Sequence, residues 1–206
     1  ALLFDVTAAD CGPRTRYGWR DTDLLEHCIE GAYGVAPLQG PLRVPGWVDR
    51  PFLLHEWNWI TSLPDPAAVR RFARSPLYPV GVPEMIAQAR RNGLAGELPL
   101  MAARSRRLKH VLRKDALERA HSHPRIAGYH HWLLHDLPYC PEGVFDEWRR
   151  PPADLAAAEF RTYNSDTVLA LGDHWTRSFA YGQPIALGLV VSHFGAAPLR
   201  AAMVQW

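Results

Sequence analysis

A carboxylate directly after an apolar run is the first feature of this sequence that could do chemistry. Residues 51–57 begin with a proline, continue with three apolar residues and end in His55, Glu56 and Trp57. A short continuous apolar run is typical of a parallel-sheet strand that is buried on both faces. Barrel and doubly wound enzymes hold catalytic groups at the carboxyl ends of such strands, which makes Glu56 the first catalytic candidate. The same position also suits a structural glutamate that pairs with an arginine at a loop mouth.

A second strand-like run contains an aromatic residue near its end. Residues 126–134 contain Trp132, and His135 and Asp136 follow. An aromatic ring can stack on the C–H face of a sugar while carboxylates and imidazoles bind its hydroxyl groups. Trp132 together with Glu56 therefore indicates a carbohydrate site, although a tryptophan in a strand is also commonly a core residue.

Histidines crowd the same part of the chain, so a metal site must be considered. Because adjacent strand residues point to opposite faces, His130 and His131 do not easily share one ion, and we predict no metal. The sequence contains no Gly-x-Ser-x-Gly nucleophile motif, no Gly-x-Gly-x-x-Gly and no phosphate loop, so no cofactor is predicted.

The elements that must position these residues alternate along the chain. A strand, a long helical connection and another strand are the rhythm of an α/β protein with a parallel sheet. Besides the two runs above, a short strand is predicted at residues 2–6, and Gly93 is predicted to end a helix. The predicted helices are residues 21–31, 66–74, 83–92 and 101–121.

The longest predicted helix carries both an apolar stripe and a basic stretch. The stripe is predicted to face the core, with Leu117 off it. The basic stretch, residues 104–110 with Arg113 and Lys114, is predicted to be a solvated helix face. The residues of the stripe are Leu108, Val111, Leu112, Ala116 and Ala120.

Composition excludes several classes of protein. The 206 residues are 48% hydrophobic and 21% charged, as in an ordinary globular protein. Lys and Arg number 23 against 21 Asp and Glu, a net charge of +2 that gives little attraction for nucleic acid. The apolar runs are too short to span a membrane, and the three cysteines show no zinc or redox spacing. Compartment and oligomeric state are not predicted.

Beyond about residue 151 the pattern changes to short strand-like pieces separated by turns. Such a pattern predicts an all-β sandwich. The clearest piece is residues 185–191, where Ile185, Leu187, Leu189 and Val191 alternate as one buried face. The other predicted strands are residues 160–163, 167–171, 177–181 and 199–206.

Taken in order, these segments resemble a known family. Residues 51–57 are similar to the seventh-strand motif of family 2 glycoside hydrolases, the β-galactosidase and β-glucuronidase group, in which a Pro to His-Glu-aromatic run carries the nucleophile. Residues 126–136 and 142–151 resemble the eighth strand and its exit, a Gly-aromatic-x-x-Trp segment that leads to a Gly-x-x-Asp turn. Residues 160–164 and 192–195 resemble parts of the sandwich that follows the barrel.

The resemblance implies an α/β fold, with part of a (β/α)8 TIM barrel in residues 1–152 and part of an immunoglobulin-like β-sandwich in residues 153–206. A complete barrel takes about 250 residues. We therefore expect the chain to be a fragment that holds the last two strand-helix units of a barrel and the opening of a sandwich, with Ala1 and Trp206 as arbitrary ends.

The resemblance further implies a retaining glycoside hydrolase that cleaves terminal β-glycosidic bonds, with carbohydrate as its partner, no nucleic acid and no membrane. Glu56 would be the nucleophile. The Asn-Glu pair that supplies the acid/base in this family does not occur in this sequence, so the acid/base is expected upstream. Trp57-Asn58-Trp59 also replaces the commoner aromatic-Gly continuation. The expected substrate-binding residues are Trp132, His55, Asn58, His131 and Asp136.

Two other hypotheses remain open. The protein could be a catalytically inactive carbohydrate-binding relative, which would bind sugar without turnover. It could also be a structural β-rich interaction module in which Trp132 belongs to the core. Sugar binding followed by tryptophan fluorescence separates the structural module from the other two.

Overall fold

The computed structural model describes residues 5–6, 52–57, 60–131, 133–138, 140–172 and 179–205. Within its strands, residues 5, 6, 52, 53, 55–57 and 130 are described by their backbone alone. The helices are α1 Ala68–Phe72, α2 Val82–Arg91, α3 Leu98–Ser122 and α4 Ala157–Arg161. The strands are β1 Asp5–Val6, β2 Phe52–Trp57, β3 Ile126–His131, β4 Thr167–Gly172 and β5 Gly188–His193.

The first three strands form a parallel sheet in the order β1-β2-β3. In the register between β2 and β3, Phe52 lies opposite Ile126 and Trp57 lies opposite His131, with irregularities between them. The prediction that residues 51–57 form a strand of a parallel sheet is confirmed for residues 52–57, and Pro51 lies outside the described residues. Strand β3 ends at His131, earlier than the predicted residue 134.

The helices between β2 and β3 follow the predicted order. Helices α1 and α2 lie within or next to the predicted ranges 66–74 and 83–92. Gly93, just after α2, has a φ of 72°, a left-handed conformation that glycine adopts without strain. The predicted helix stop at Gly93 is therefore confirmed, whereas the predicted helix at residues 21–31 lies outside the described residues.

Helix α3 was predicted correctly as a helix, but only part of its buried face was: Ala116 and Ala120 are buried, as predicted. Leu108 and Val111 are 51% and 50% exposed, whereas Leu117 is 1% exposed. The buried face includes Lys109 and Arg113, so the prediction of a solvated basic face is wrong there. The reason is that α3 packs against β4 and the loop after β3 as well as β3 itself, which turns the buried face toward residues 109, 113 and 117.

The C-terminal part of the chain differs from the predicted sandwich strands in several places. Residues 157–161 are helical, which corrects the strand predicted at 160–163, because the run of alanines ending in Glu and Phe favours a helix. Strand β4 confirms the strand predicted at 167–171. Residues 179–181, 185–187 and 199–205 are not strands, and 177–178 lie outside the described residues.

Strands β4 and β5 pair antiparallel, with Leu169 opposite Val191 and Leu171 opposite Leu189. These four side chains are exposed, so the prediction that Leu189 and Val191 face a core is wrong. The opposite face contains Val168, Ala170 and Ser192, all buried. Both faces of the sheet carry apolar residues, so alternation alone did not indicate which face would pack against α3.

Among the described residues, no helix has both the length and the apolar character needed to cross a bilayer. In the same residues the parallel sheet has three strands and the antiparallel sheet has two. The closed barrel and the sandwich, with a domain boundary near residue 152, accordingly stay predictions.

Candidate functional site

The register of the parallel sheet brings the two candidate segments to the same edge. Trp57, at the carboxyl end of β2, lies opposite His131, at the carboxyl end of β3. In the sequence, Glu56 immediately precedes Trp57 and Trp132 immediately follows His131. The backbone therefore places the strand end that carries Glu56 beside the one that leads to Trp132.

The predicted site residues differ in how far they are described. His55 and Glu56 lie in β2 and are described by their backbone. His131 is the last residue of β3 and is partly buried. Asn58 and Trp132 lie outside the described residues.

Asp136 lies in the segment that leaves β3, which we call the exit loop and define as residues 133–146. The Asp136 carboxylate accepts a hydrogen bond of 2.6 Å from the backbone N–H of Gly143. It also lies 3.5 Å from the ammonium group of Lys109. Burial raises the pKa of Asp136, and Lys109 opposes that rise. These contacts occupy the carboxylate within the loop, and its binding of a sugar hydroxyl stays a prediction.

The exit loop folds back on itself through backbone hydrogen bonds. The N–H of Val144 donates to the carbonyl of Leu134 at 3.1 Å, and the N–H of Phe145 donates to the same carbonyl at 3.0 Å. The N–H of Asp136 donates to the carbonyl of Phe145 at 2.9 Å. A Cβ on Gly143 would lie 2.3 Å from the Asp136 nitrogen, so only glycine fits this close approach.

Two buried cations of α3 hold the far end of the exit loop, and the sequence analysis missed both. Lys109 donates to the carbonyls of Pro141 at 2.9 Å and Gly143 at 3.2 Å. Arg113 donates to the carbonyls of Glu142 at 2.7 Å and Gly143 at 3.2 Å. No local signal would have found them: they lie four residues apart in line with Leu117 and Ala120, but long cationic side chains are exposed by default.

The segment that follows β2 is hydrogen-bonded to the exit loop and to α3. The N–H and the hydroxyl of Ser62 both donate to the carbonyl of Pro141, at 3.3 and 3.2 Å. The N–H of Leu63 donates to the hydroxyl of Ser105 on α3 at 2.9 Å. Both strand exits are therefore attached to one helix.

Burial shapes the electrostatics of α3. Desolvation lowers the pKa of Lys109 to about 8, even though Asp136 favours its charged form. Desolvation and the charge of Arg113 lower the pKa of His110 to about 4, against the attraction of Asp154. At neutral pH, Lys109 is thus mostly charged and His110 is neutral.

A cavity of about 380 Å³ lies between α1, α3 and the exit loop. Its charged walls are paired: Arg71 contacts Asp65 at 2.6 Å and Glu147 at 2.8 Å, and Arg106 contacts Asp154 at 3.1 Å. The cavity has no excess of either sign with which to attract an ion, because four basic and four acidic side chains line it: Arg71, Arg106, Lys109 and Arg150 against Asp65, Asp136, Asp146 and Glu147.

Side chains that could bind a metal do not cluster in the part of the chain that the structure describes, where no group of three or more His, Cys, Asp or Glu is found. His121 instead contacts the hydroxyl of Ser192 at 3.1 Å.

The sequence was also compared with known proteins. No family model matches this chain, and no curated protein matches it.

Proposed function

We propose that this chain carries the nucleophile part of a β-galactosidase-like retaining glycoside hydrolase, which hydrolyses terminal β-glycosidic bonds. The observation that carries the proposal is the parallel register in which Trp57 lies opposite His131. This register puts the strand end that carries Glu56 beside the strand end at His131, which precedes Trp132 in the sequence, at the carboxyl edge of one sheet, where α/β enzymes hold their catalytic groups. The resemblance of residues 51–57 and 126–151 to the last two barrel strands of the family supports the same function.

In the proposed mechanism a carboxylate oxygen of Glu56 attacks the anomeric carbon of the terminal sugar. The bond from that carbon to the leaving oxygen breaks, and the leaving oxygen takes a proton from a second carboxylic acid. Water then attacks the anomeric carbon of the glycosyl-enzyme ester and gives its proton to the second carboxylate, while the bond from that carbon to the Glu56 oxygen breaks and frees the Glu56 carboxylate. In retaining enzymes the two carboxyl groups are about 5 Å apart. In the family that residues 51–57 resemble, the second acid is the Glu of an Asn-Glu pair, which this sequence does not contain.

The remaining candidates would bind the sugar. Trp132 would stack against the C–H face of the ring, and His55, Asn58 and His131 would bind its hydroxyl groups. No cofactor is needed, because the chemistry requires only two carboxyl groups and water.

Covalent labelling tests the role of Glu56. The complete barrel protein is treated with a 2-deoxy-2-fluoroglycoside that carries a good leaving group, and the labelled peptide is identified by mass spectrometry. We expect the label on Glu56 and its loss in Glu56→Gln. Glu84→Gln is the matched control, since Glu84 is exposed on α2 and remote from the sheet in sequence. A label that persists in Glu56→Gln would reject Glu56 as the nucleophile.

Azide rescue provides a second test that a structural carboxylate would fail. In Glu56→Ala, azide can enter the space left by the carboxylate and attack the anomeric carbon of an aryl β-glycoside. The expected product is the α-glycosyl azide, formed at a rate that rises with azide concentration. Sugar binding without label or rescue, in a protein that has the acid/base, would favour the inactive carbohydrate-binding relative.

A further inference from the structure

Two cations of α3 grip three consecutive carbonyl groups of the exit loop. We call this arrangement the carbonyl clamp and define it as Lys109 and Arg113 together with the carbonyls of Pro141, Glu142 and Gly143. The Gly143 carbonyl accepts a hydrogen bond from each cation, both at 3.2 Å. The clamp therefore restrains the exit loop at its far end, opposite the point where it leaves β3.

Burying the two charges of the clamp costs free energy of desolvation. Lys109 and Arg113 are 2% and 0% exposed, and they lie four residues apart on one helix face. The acid that lies close to Lys109 is Asp136, at 3.5 Å. Within the described residues, Nε and Nη1 of Arg113 have no hydrogen-bond partner. Buried like charges with partial compensation cost more than apolar side chains of the same size, so stability alone does not account for them.

The clamped carbonyls connect the two strand exits that matter for the site. Pro141 accepts hydrogen bonds from Lys109 and also from Ser62, which follows β2. Three and four residues after Pro141, Val144 and Phe145 donate hydrogen bonds to the carbonyl of Leu134, near the start of the exit loop. Movement of the clamped carbonyls would therefore shift the exits of β2 and β3 relative to each other.

We propose that Lys109 and Arg113 are positioning residues for the sugar site, and that they set the spacing between the strand end that carries Glu56 and the segment that carries Trp132. The effect on sugar binding rests on the proposed function, whereas the restraint of the exit loop does not. Both cations act through the exit loop: through its backbone carbonyls and, for Lys109, also through Asp136 at 3.5 Å.

The charge of Lys109 gives the clamp a pH dependence. Lys109 faces Asp136 from the exit loop, which favours its charged form, and Arg113 and Arg106 from its own helix, which oppose it. As the pH rises through about 8, Lys109 loses its proton and its attraction for the carbonyls weakens. The wild-type KM for an aryl glycoside should then rise above pH 8.

Hydrogen exchange measured by NMR or mass spectrometry tests the clamp directly. We expect Lys109→Met and Arg113→Met to lower the protection of the Val144 and Phe145 amides at least tenfold. Lys114→Met is the matched control, because Lys114 lies on the same helix with 45% of its side chain exposed and pairs with Glu118. Unchanged protection at these amides in Lys109→Met would overturn the proposal.

Kinetics of the complete barrel protein test the consequence for the site. In Lys109→Met we expect KM to rise at least fivefold at pH 7 and to lose its dependence on pH between 7 and 9.5, while the control keeps wild-type values. Loss of protection with unchanged KM and an unchanged pH profile would overturn the positioning role.

Two further outcomes remain decisive. If Lys109→Met does not fold, the wild-type protein is measured alone. The protection of the Val144 and Phe145 amides should then fall, relative to that of the α3 amides, as the pH rises from 7 to 9.5. An equal change in the protection of the loop amides and the α3 amides would overturn the clamp. If the wild type takes no label at Glu56, the proposed function fails, and the exchange result still decides whether the clamp holds the strand exits.

Discussion

At the residue scale, some of the residues with a proposed role can be identified from the local sequence pattern and others cannot. Glu56 could be singled out because a carboxylate after an apolar run is unusual in sequence and meaningful at a strand end. Lys109 and Arg113 could not, because long cationic side chains are exposed by default. Their burial depends on the exit loop, which meets them from about 30 residues further along the chain.

Gly143 offers a direct test of how tightly the exit loop packs. In Gly143→Ala the new methyl group would overlap the backbone of His135 and Asp136 at 2.3 Å, so the loop must move. We expect the free energy of unfolding in urea to fall by about 2 kcal/mol or more. Gly96→Ala is the control, since a Cβ there would meet nothing within 4 Å, and a loss of similar size in it would contradict the explanation.

His110 predicts how stability responds to acid. Its folded pKa of about 4 lies below the ordinary value of 6.5, so between these values the unfolded chain binds a proton that the folded chain does not. Its contribution is complete above pH 6.5 and is lost as the pH falls toward 4. We expect the free energy of unfolding to drop by up to about 2 kcal/mol more in the wild type than in His110→Gln between pH 7 and 4.5. Equal acid sensitivity of the wild type and His110→Gln would refute this role.

At the scale of elements, hydrophobic pattern and breakers located most of the described helices and strands. The strand at 51–57, the three helices before β3 and the strand at 167–171 follow from runs of apolar residues bounded by Pro or Gly. The error at residues 160–163 arose because four residues are too few to distinguish a strand from a helical turn. Which face of an element is buried was harder to predict, since α3 and β5 both carry apolar residues on two sides.

Neighbouring residues of β4 should respond very differently to truncation. Val168 is fully buried against α3, whereas Leu169 is 43% exposed on the outer face. Val168→Ala should lower the free energy of unfolding by about 2 kcal/mol, and Leu169→Ala by less than about 1 kcal/mol, although it removes more atoms. Thermal and urea unfolding of the two variants measure the difference. The opposite order would mean that the outer face of the small sheet is covered in solution.

At the scale of the whole molecule, the proposed activity needs more than this sequence contains. It has no Asn-Glu pair to act as acid/base, and half of a double displacement gives no turnover. We expect the 206-residue chain alone to release no fluorophore from an aryl β-glycoside above the uncatalysed rate. Turnover that disappears in Glu56→Gln would show that the acid/base lies within this chain.

The sequence by itself determined where the apolar strands run, where Gly and Pro end the helices, and which residue types could attack or stack on a sugar, because these depend on neighbours in the chain. Only the tertiary structure decided that Trp57 lies opposite His131, that Lys109 and Arg113 are buried, and that Leu169 and Val191 face outward. These outcomes depend on which surfaces meet, and contacts between residues tens of positions apart leave no periodic trace in either segment.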